Sequence, residues 1–206
     1  MQRGRHAASL NDAVPTGTHY FDRSFNKPAV KIGPGEYHAT AQELMIVTVL
    51  GSCISVCLRD PEKRAGGMNH FMLPHHGGGS HALLSESARY GAYAMEILIN
   101  HLLRLGCDRK RLEAKVFGGG KILGNMIDVG RMNADFALNY LHTENIRLLA
   151  TDVGESCARK VYFDPLSGRV FVRQFKGSGD ASVVRSETAY GKRLDKMPVS
   201  GEVELF

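Results

Sequence analysis

Residues 47–76 read VTVLGSCISVCLRDPEKRAGGMNHFMLPHH. Two β-rich runs, ISVCLRD and GGMNHFML, flank Asp60-Pro61-Glu62-Lys63, where Asp suits the first position of a turn and Pro the second. The stretch therefore predicts a β-hairpin. Pairing Asp60 with Lys63 and propagating outward sets Cys53 opposite His70, with Cβ atoms about 4.5–5.5 Å apart on one sheet face. Arg64, Ala65, Gly66 and Gly67 allow a longer loop or a bulge, and a slip of one residue would turn the two side chains apart.

The same residues invite a metal reading. Cys53, Cys57, His70 and His75 are spaced C-x3-C-x12-H-x4-H, the loosest pattern of a small zinc module. Between the cysteines, however, stands Ile-Ser-Val, a run without a turn residue, and four extended residues separate their Cα atoms by roughly 13 Å. The histidines fall beside a proline and three glycines rather than on a helix. Geometry thus disfavours the knuckle, and Cys57 reads as a small buried strand residue. The His-Gly loop from His75 reads as a solvated loop, with substrate contact as the lesser option.

A thiol beside an imidazole has a different use. The imidazolium stabilises the thiolate, which makes cysteine a nucleophile near neutral pH. Gly51 and Ser52 precede Cys53, and a glycine turn there would let backbone N–H groups face an oxyanion. Spacing alone leaves an inert core cysteine as the competing reading.

Outward from the hairpin, AVKIGPGEYHAT and ELMIVTVL suggest early strands broken by a Gly-Pro-Gly turn. Apolar residues at helical spacing from Ser87 to Leu105 and from Arg131 to Glu144 predict two main helices. RLEAKVF, NIRLLATDVG and the two halves of RKVYFDPLSGRVFVRQF read as strands. The class is α+β, with strands outnumbering helices. Residues 1–28 read as a flexible arm and 29–175 as a single domain. Residues 176–206 read as a polar, unstructured tail, with a docked strand at EVELF as the lesser option. FGGGKILG lacks the upstream glycine and the Ser/Thr of a phosphate loop and reads as a tight turn; Cys107 and Cys157 receive no role.

The chain has 206 residues, a net charge of +5, no tryptophan and four cysteines. Lysine and arginine are scattered without interleaved aromatics, which argues against a nucleic-acid platform. The start lacks a secretory core segment and no apolar run is long enough to span a membrane, so a cytoplasmic protein with reduced cysteines is expected, with no membrane insertion.

LGSCISVCLRD, GGMNHFMLP, AKVFGGG and RKVYFDPLSGRVFVR resemble, in order and spacing, the chemoreceptor glutamine deamidase family, CheD, over residues 30–175. The resemblance implies hydrolysis of receptor glutamine side chains to glutamate. It also implies the cysteine-hydrolase fold of deamidating toxins, here mixed or antiparallel, sandwich-like sheets flanked by two main helices. Its Cys-His-Thr triad carries over as Cys53 and His70. The family threonine position is Val47, and valine cannot bond an imidazole. Thr48 is taken as the third member, with a backbone carbonyl or Ser55 as alternatives. Gly51 and Ser52, with Gly118, Gly119 and Gly120, are expected to border the substrate. No metal or organic cofactor is implied; the partners are the helical cytoplasmic domains of chemoreceptors and a CheC-type phosphatase. Val47 keeps a second reading open, a receptor- or phosphatase-binding adaptor with little or no catalysis.

Overall fold

Turns built on Gly, Pro and Asp cut the chain into short strands between longer helices. The computed structural model describes residues 16–74, 81–122, 128–175 and 178–194, and the side chains of 81–86 and 178–180 are left aside. In order, the elements are β1 (Thr18–Asp22), β2 (Lys27–Lys31), β3 (Tyr37–Thr40), β4 (Met45–Leu50), β5 (Ile54–Asp60) and β6 (Ala65–Asn69). There follow α1 (His81–Arg104), β7 (Glu113–Gly118), α2 (Val129–Thr143), β8 (Arg147–Val153), β9 (Arg159–Phe163), β10 (Val170–Gln174) and α3 (Ser178–Leu194).

The strands form two five-stranded sheets, ordered β1-β2-β4-β9-β10 and β3-β6-β5-β7-β8. Each is mixed, because β2 runs parallel to β4 and β7 parallel to β8 while the other pairs are antiparallel. One apolar cluster joins α1 and α2 to the outer face of the second sheet through Ile54, Val56, Leu58, Leu98 and Ala137. A second cluster fills the space between the sheets with Ile46, Leu50, Val161 and Phe163 from one and Cys53, Cys57, Met68 and Phe117 from the other. The expected α+β class and sandwich are what these layers make, with α1 and α2 as the two expected helices and α3 as a third that was not expected. No described helix is long and apolar enough to cross a membrane.

The hairpin of β5 and β6 forms in a different register from that expected. Asp60 pairs with Ala65 and Cys57 with Met68, leaving Pro61–Arg64 as the loop. Asp60 enforces this: its carboxylate accepts from the N–H groups of Glu62 and Lys63, which holds Lys63 in the turn rather than in the ladder. Arg64 closes the loop at φ +54°. The shift is of two residues, and because strand side chains alternate with period two, every one keeps its face.

Two boundaries also differ. Thr18–Asp22, read as part of a flexible arm, is an edge strand paired with β2 from Thr18↔Lys31 to Asp22↔Lys27. Four of its five residues are exposed, so it carries no apolar alternation for a sequence reading to detect. Ser178–Leu194, read as unstructured, is a helix that buries Val183, Glu187, Tyr190 and Leu194 at helical spacing. A glutamate in the middle of that stripe disguised it. The loop from His75, residues 1–15 and the EVELF end lie outside the described residues.

Candidate active site

Cys53 sits one residue before β5, at the edge of the space between the sheets, and is fully buried. Its loop is held from behind. The N–H of Gly120 donates to Gly51 O at 2.6 Å and that of Gly119 to Cys53 O at 2.7 Å. The Asn133 side chain, from the first turns of α2, donates to Ser52 O at 2.8 Å. With the carbonyls of residues 51, 52 and 53 all pinned on one side, their three N–H groups point to the other.

Those N–H groups converge on the carboxylate of Glu187. Gly51 N–H and Cys53 N–H both donate to Oε1, at 2.8 and 3.0 Å. Ser52 donates twice to Oε2, from N–H and from Oγ, each at 2.7 Å. Two backbone N–H groups on one oxygen, at this range, are the donors an oxyanion needs. A Cβ at Gly51 would lie 1.9 Å from the end of the Ile122 side chain and 2.9 Å from Glu187 Oε2, so a larger residue there makes both side chains shift.

His70 follows the end of β6 and is fixed by its backbone, which accepts from Gly35 N–H at 2.8 Å and donates to Glu36 O at 2.9 Å. Its ring is buried. Nδ1 lies 2.8 Å from Thr48 Oγ1, and Oγ1 lies 2.8 Å from Ile32 O. A carbonyl only accepts, so the threonine proton goes to Ile32 and Oγ1 receives the Nδ1–H. His70 is thereby set as the tautomer with Nε2 unprotonated, and Nε2 has no hydrogen-bond partner among the described residues. A histidine ring nitrogen, Cys53 Sγ and a Glu187 oxygen all lie within 4.8 Å of one another.

Burial pulls the His70 pKa down to about 4, although the Glu187 charge pulls the other way. Burial, the Glu187 charge and the contact with its carboxylate push the Cys53 thiol well above its ordinary range. As folded here the pair is therefore neutral, a thiol beside an imidazole. The three groups could offer ligand atoms to a cation, but the groups around Glu187 are N–H, O–H and S–H donors, and such a cradle suits an anion.

The family described as "CheD chemotactic sensory transduction" matches residues 72–174. Over 189 residues, 91% of this chain and 93% of the other, the sequence is 51% identical to a Janthinobacterium protein named "Probable chemoreceptor glutamine deamidase CheD". A Shewanella oneidensis protein named "Probable chemoreceptor glutamine deamidase CheD 1" is 48% identical over 200 residues, 96% of this chain and 97% of its own. A Methylobacillus flagellatus relative, named as the first, is 51% identical over 190 residues, 91% and 94% of the two chains. The chain belongs to the CheD family. Matches of this extent take in β4 to β6, with Cys53 and His70, as well as the region from Met72 onward.

Of the residues singled out in the sequence of this CheD-family chain, the structure gathers Thr48, Gly51, Ser52, Cys53 and His70 at one place. Val47 points the opposite way, into a cluster with Ala29 and Met45. Ser55 Oγ is engaged by Asn69 O, which leaves Thr48 as the hydroxyl on the imidazole. Gly118, Gly119 and Gly120, expected to border the substrate, stand behind the loop instead. Gly118 has φ +111°, and a Cβ there would lie 2.2 Å from Cys53 O, so its place is a close backbone approach. Sequence reasoning missed Asn133 and Glu187. For Glu187 a signal existed: a lone acid between Val183, Tyr190 and Leu194 on the buried stripe of a helix.

Proposed function

We propose that this chain hydrolyses the side-chain amides of particular glutamines on chemoreceptors, with Cys53 as nucleophile, His70 as base and acid, and Thr48 orienting the ring. The observation that carries this reading is the convergence of the Gly51 and Cys53 N–H groups on one carboxylate oxygen beside Cys53 and His70. That carboxylate belongs to a glutamate, the side chain the reaction yields.

In the proposed sequence the Cys53 thiol gives its proton to His70 Nε2 and the thiolate adds to the glutamine Cδ. The resulting oxyanion is held by the N–H groups of Gly51 and Cys53. The C–N bond then breaks, and the imidazolium proton leaves on ammonia. His70 next takes a proton from water, hydroxide adds to the thioester, and the C–S bond breaks as Cys53 recovers its proton. A cleft of about 290 Å³, bounded by Ile32, Val49, His70, Ser186 and Glu187, offers water room beside the ring. The Thr48 contact strengthens whenever His70 is charged, which is in both transition states.

The reading includes a cytoplasmic location, where the free thiols of all four cysteines are kept reduced, and the helical receptor domains as partners. A CheC-type phosphatase is a second partner in this reading. The test is conversion of glutamine to glutamate in receptor cytoplasmic fragments, mapped by mass spectrometry. Conversion by wild type and its loss in Cys53→Ala and His70→Ala is expected; equal conversion by all three would remove the mechanism, and receptor binding without conversion would favour an adaptor.

A further inference from the structure

Glu187 is 1% exposed on a helix of ordinary composition. A carboxylate that deep needs partners, and among the described residues four N–H and O–H hydrogen bonds reach it, all from Gly51, Ser52 and Cys53. No described cation pairs with it. The rest of α3 is fitted to the same place. Tyr190 bonds the hydroxyl of Tyr90 on α1, and its oxygen would lie 2.7 Å from a Cβ at Gly35, in the turn that holds His70. Val183 and Ser186 line the cleft that reaches His70.

We infer that α3 occupies the seat of the substrate helix, held there by Glu187 as a copy of the reaction product, so that the free chain is self-occluded and a receptor helix must displace α3 to be deamidated. The inference rests on the deamidase reading and adds a regulation to it. A carboxylate is a better occupant than the carboxamide it replaces. Both of its oxygens accept, so all four donors are satisfied, whereas a carboxamide nitrogen at the Oε2 position would set N–H against the Ser52 N–H. A glutamate also offers Cys53 no amide to cleave, which makes the occupant inert. Because α3 is part of the chain, its local concentration at the site is that of a tethered ligand, about millimolar, so modest affinity keeps the seat filled. Its departure exposes the thiol and removes the acid that opposes thiolate formation.

The full-length chain tests this with Glu187→Ala and Val183→Asp, two independent ways of loosening α3, and with Glu187→Gln. Iodoacetamide labelling is read at the Cys53 peptide, with partly exposed Cys157 as the internal control, and receptor-fragment deamidation is read in parallel. Both rates are expected to rise about tenfold or more in the first two variants, Glu187→Ala through its lost charge-assisted hydrogen bonds and Val183→Asp through a charge set on the buried face of α3. In Glu187→Gln, the introduced side-chain amide is expected to be hydrolysed to a carboxylate, restoring the glutamate at a rate independent of protein concentration, and to stay an amide when Cys53→Ala is added. Folded Glu187→Ala and Val183→Asp proteins with wild-type labelling and wild-type deamidation would overturn the inference and leave the enzyme reading standing. So would an amide in Glu187→Gln that persists while receptor glutamines are converted. Faster Cys53 labelling with no receptor conversion by any form would support the occluding helix and sink the enzyme reading instead.

Discussion

Replacing Thr48 by valine keeps the volume of a buried side chain and removes one oxygen. That oxygen has two partners, accepting from His70 Nδ1 at 2.8 Å and donating to Ile32 O at 2.8 Å. In the resting state both partners are left unsatisfied in a site where His70 is 2% exposed. A stability loss of about 1–3 kcal/mol is expected from that alone. During turnover the ring becomes an imidazolium, and a hydrogen bond to a charged group is worth about 1.5–3 kcal/mol. The neutral ring already makes this bond at rest, so only the excess of about 1 kcal/mol in the charged state raises the barrier, and at about 1.36 kcal/mol per decade kcat should fall about fivefold. KM should change little, because Thr48 lies behind the ring rather than against the substrate seat. Ammonia release from receptor fragments, followed at several substrate concentrations, separates the two constants. Thr48→Ser, which keeps the oxygen, should recover most of the rate. In the double variant Val47→Thr/Thr48→Val the hydroxyl moves one residue along β4 and therefore to its other face, so no recovery is expected. A Thr48→Val enzyme with wild-type kcat, or recovery in the double variant, would refute the tautomer argument.

Stability should fall in acid in two stages, seen as a lower urea midpoint in pH-resolved unfolding. His70 has a folded pKa of about 4 against an ordinary value of about 6.5, so the unfolded chain binds the extra proton and stability declines as pH drops between those values. His70→Asn should flatten that limb. Asp60 accounts for the second stage. Burial raises its pKa, but hydrogen bonds from Arg111 and from the Asp108 and Lys63 N–H groups outweigh it and hold the carboxyl below the ordinary range. Its stabilisation is present above about pH 4 and lost as pH falls further; Asp60→Asn should cost about 2–3 kcal/mol at neutral pH. Gly118→Ala sets a Cβ 2.2 Å from Cys53 O at φ +111° and is expected to abolish turnover by displacing the nucleophile loop, with a loss of about 1–3 kcal/mol in unfolding free energy. Asn133→Ala frees Ser52 O and leaves Leu73 N–H without its acceptor. Deamidation should slow about tenfold through a looser oxyanion site, with KM little changed.

Much of the proposed catalytic arrangement was legible in one stretch of chain. Asp60 and Pro61 announced the hairpin, and alternation along β5 and β6 put Cys53 and His70 on one face even though the assumed register was wrong by two residues. An error of one residue would have separated them; an even one could not. The choice between Val47 and Thr48 was not legible, because it depends on which face of β4 meets the other sheet. Gly118, Gly119 and Gly120 were read as neighbours of the site, but a glycine turn does not reveal whether its N–H groups face a ligand or a carbonyl behind it.

The sequence by itself determined the local matters: where most strands and the two central helices fall, which residues share a strand face, and which side chains are candidates for nucleophile and base. These depend on neighbours within a few residues, whose spacing is written in the chain. Tertiary structure alone decided what fills the site. Glu187 lies 134 residues from Cys53, on a helix whose exposed positions are polar or alanine, and only the folding of α3 back onto the sheets sets its carboxylate against three backbone N–H groups. Main-chain donors carry no sequence signature, so an anion seat built from them becomes visible only when the chain has closed around it.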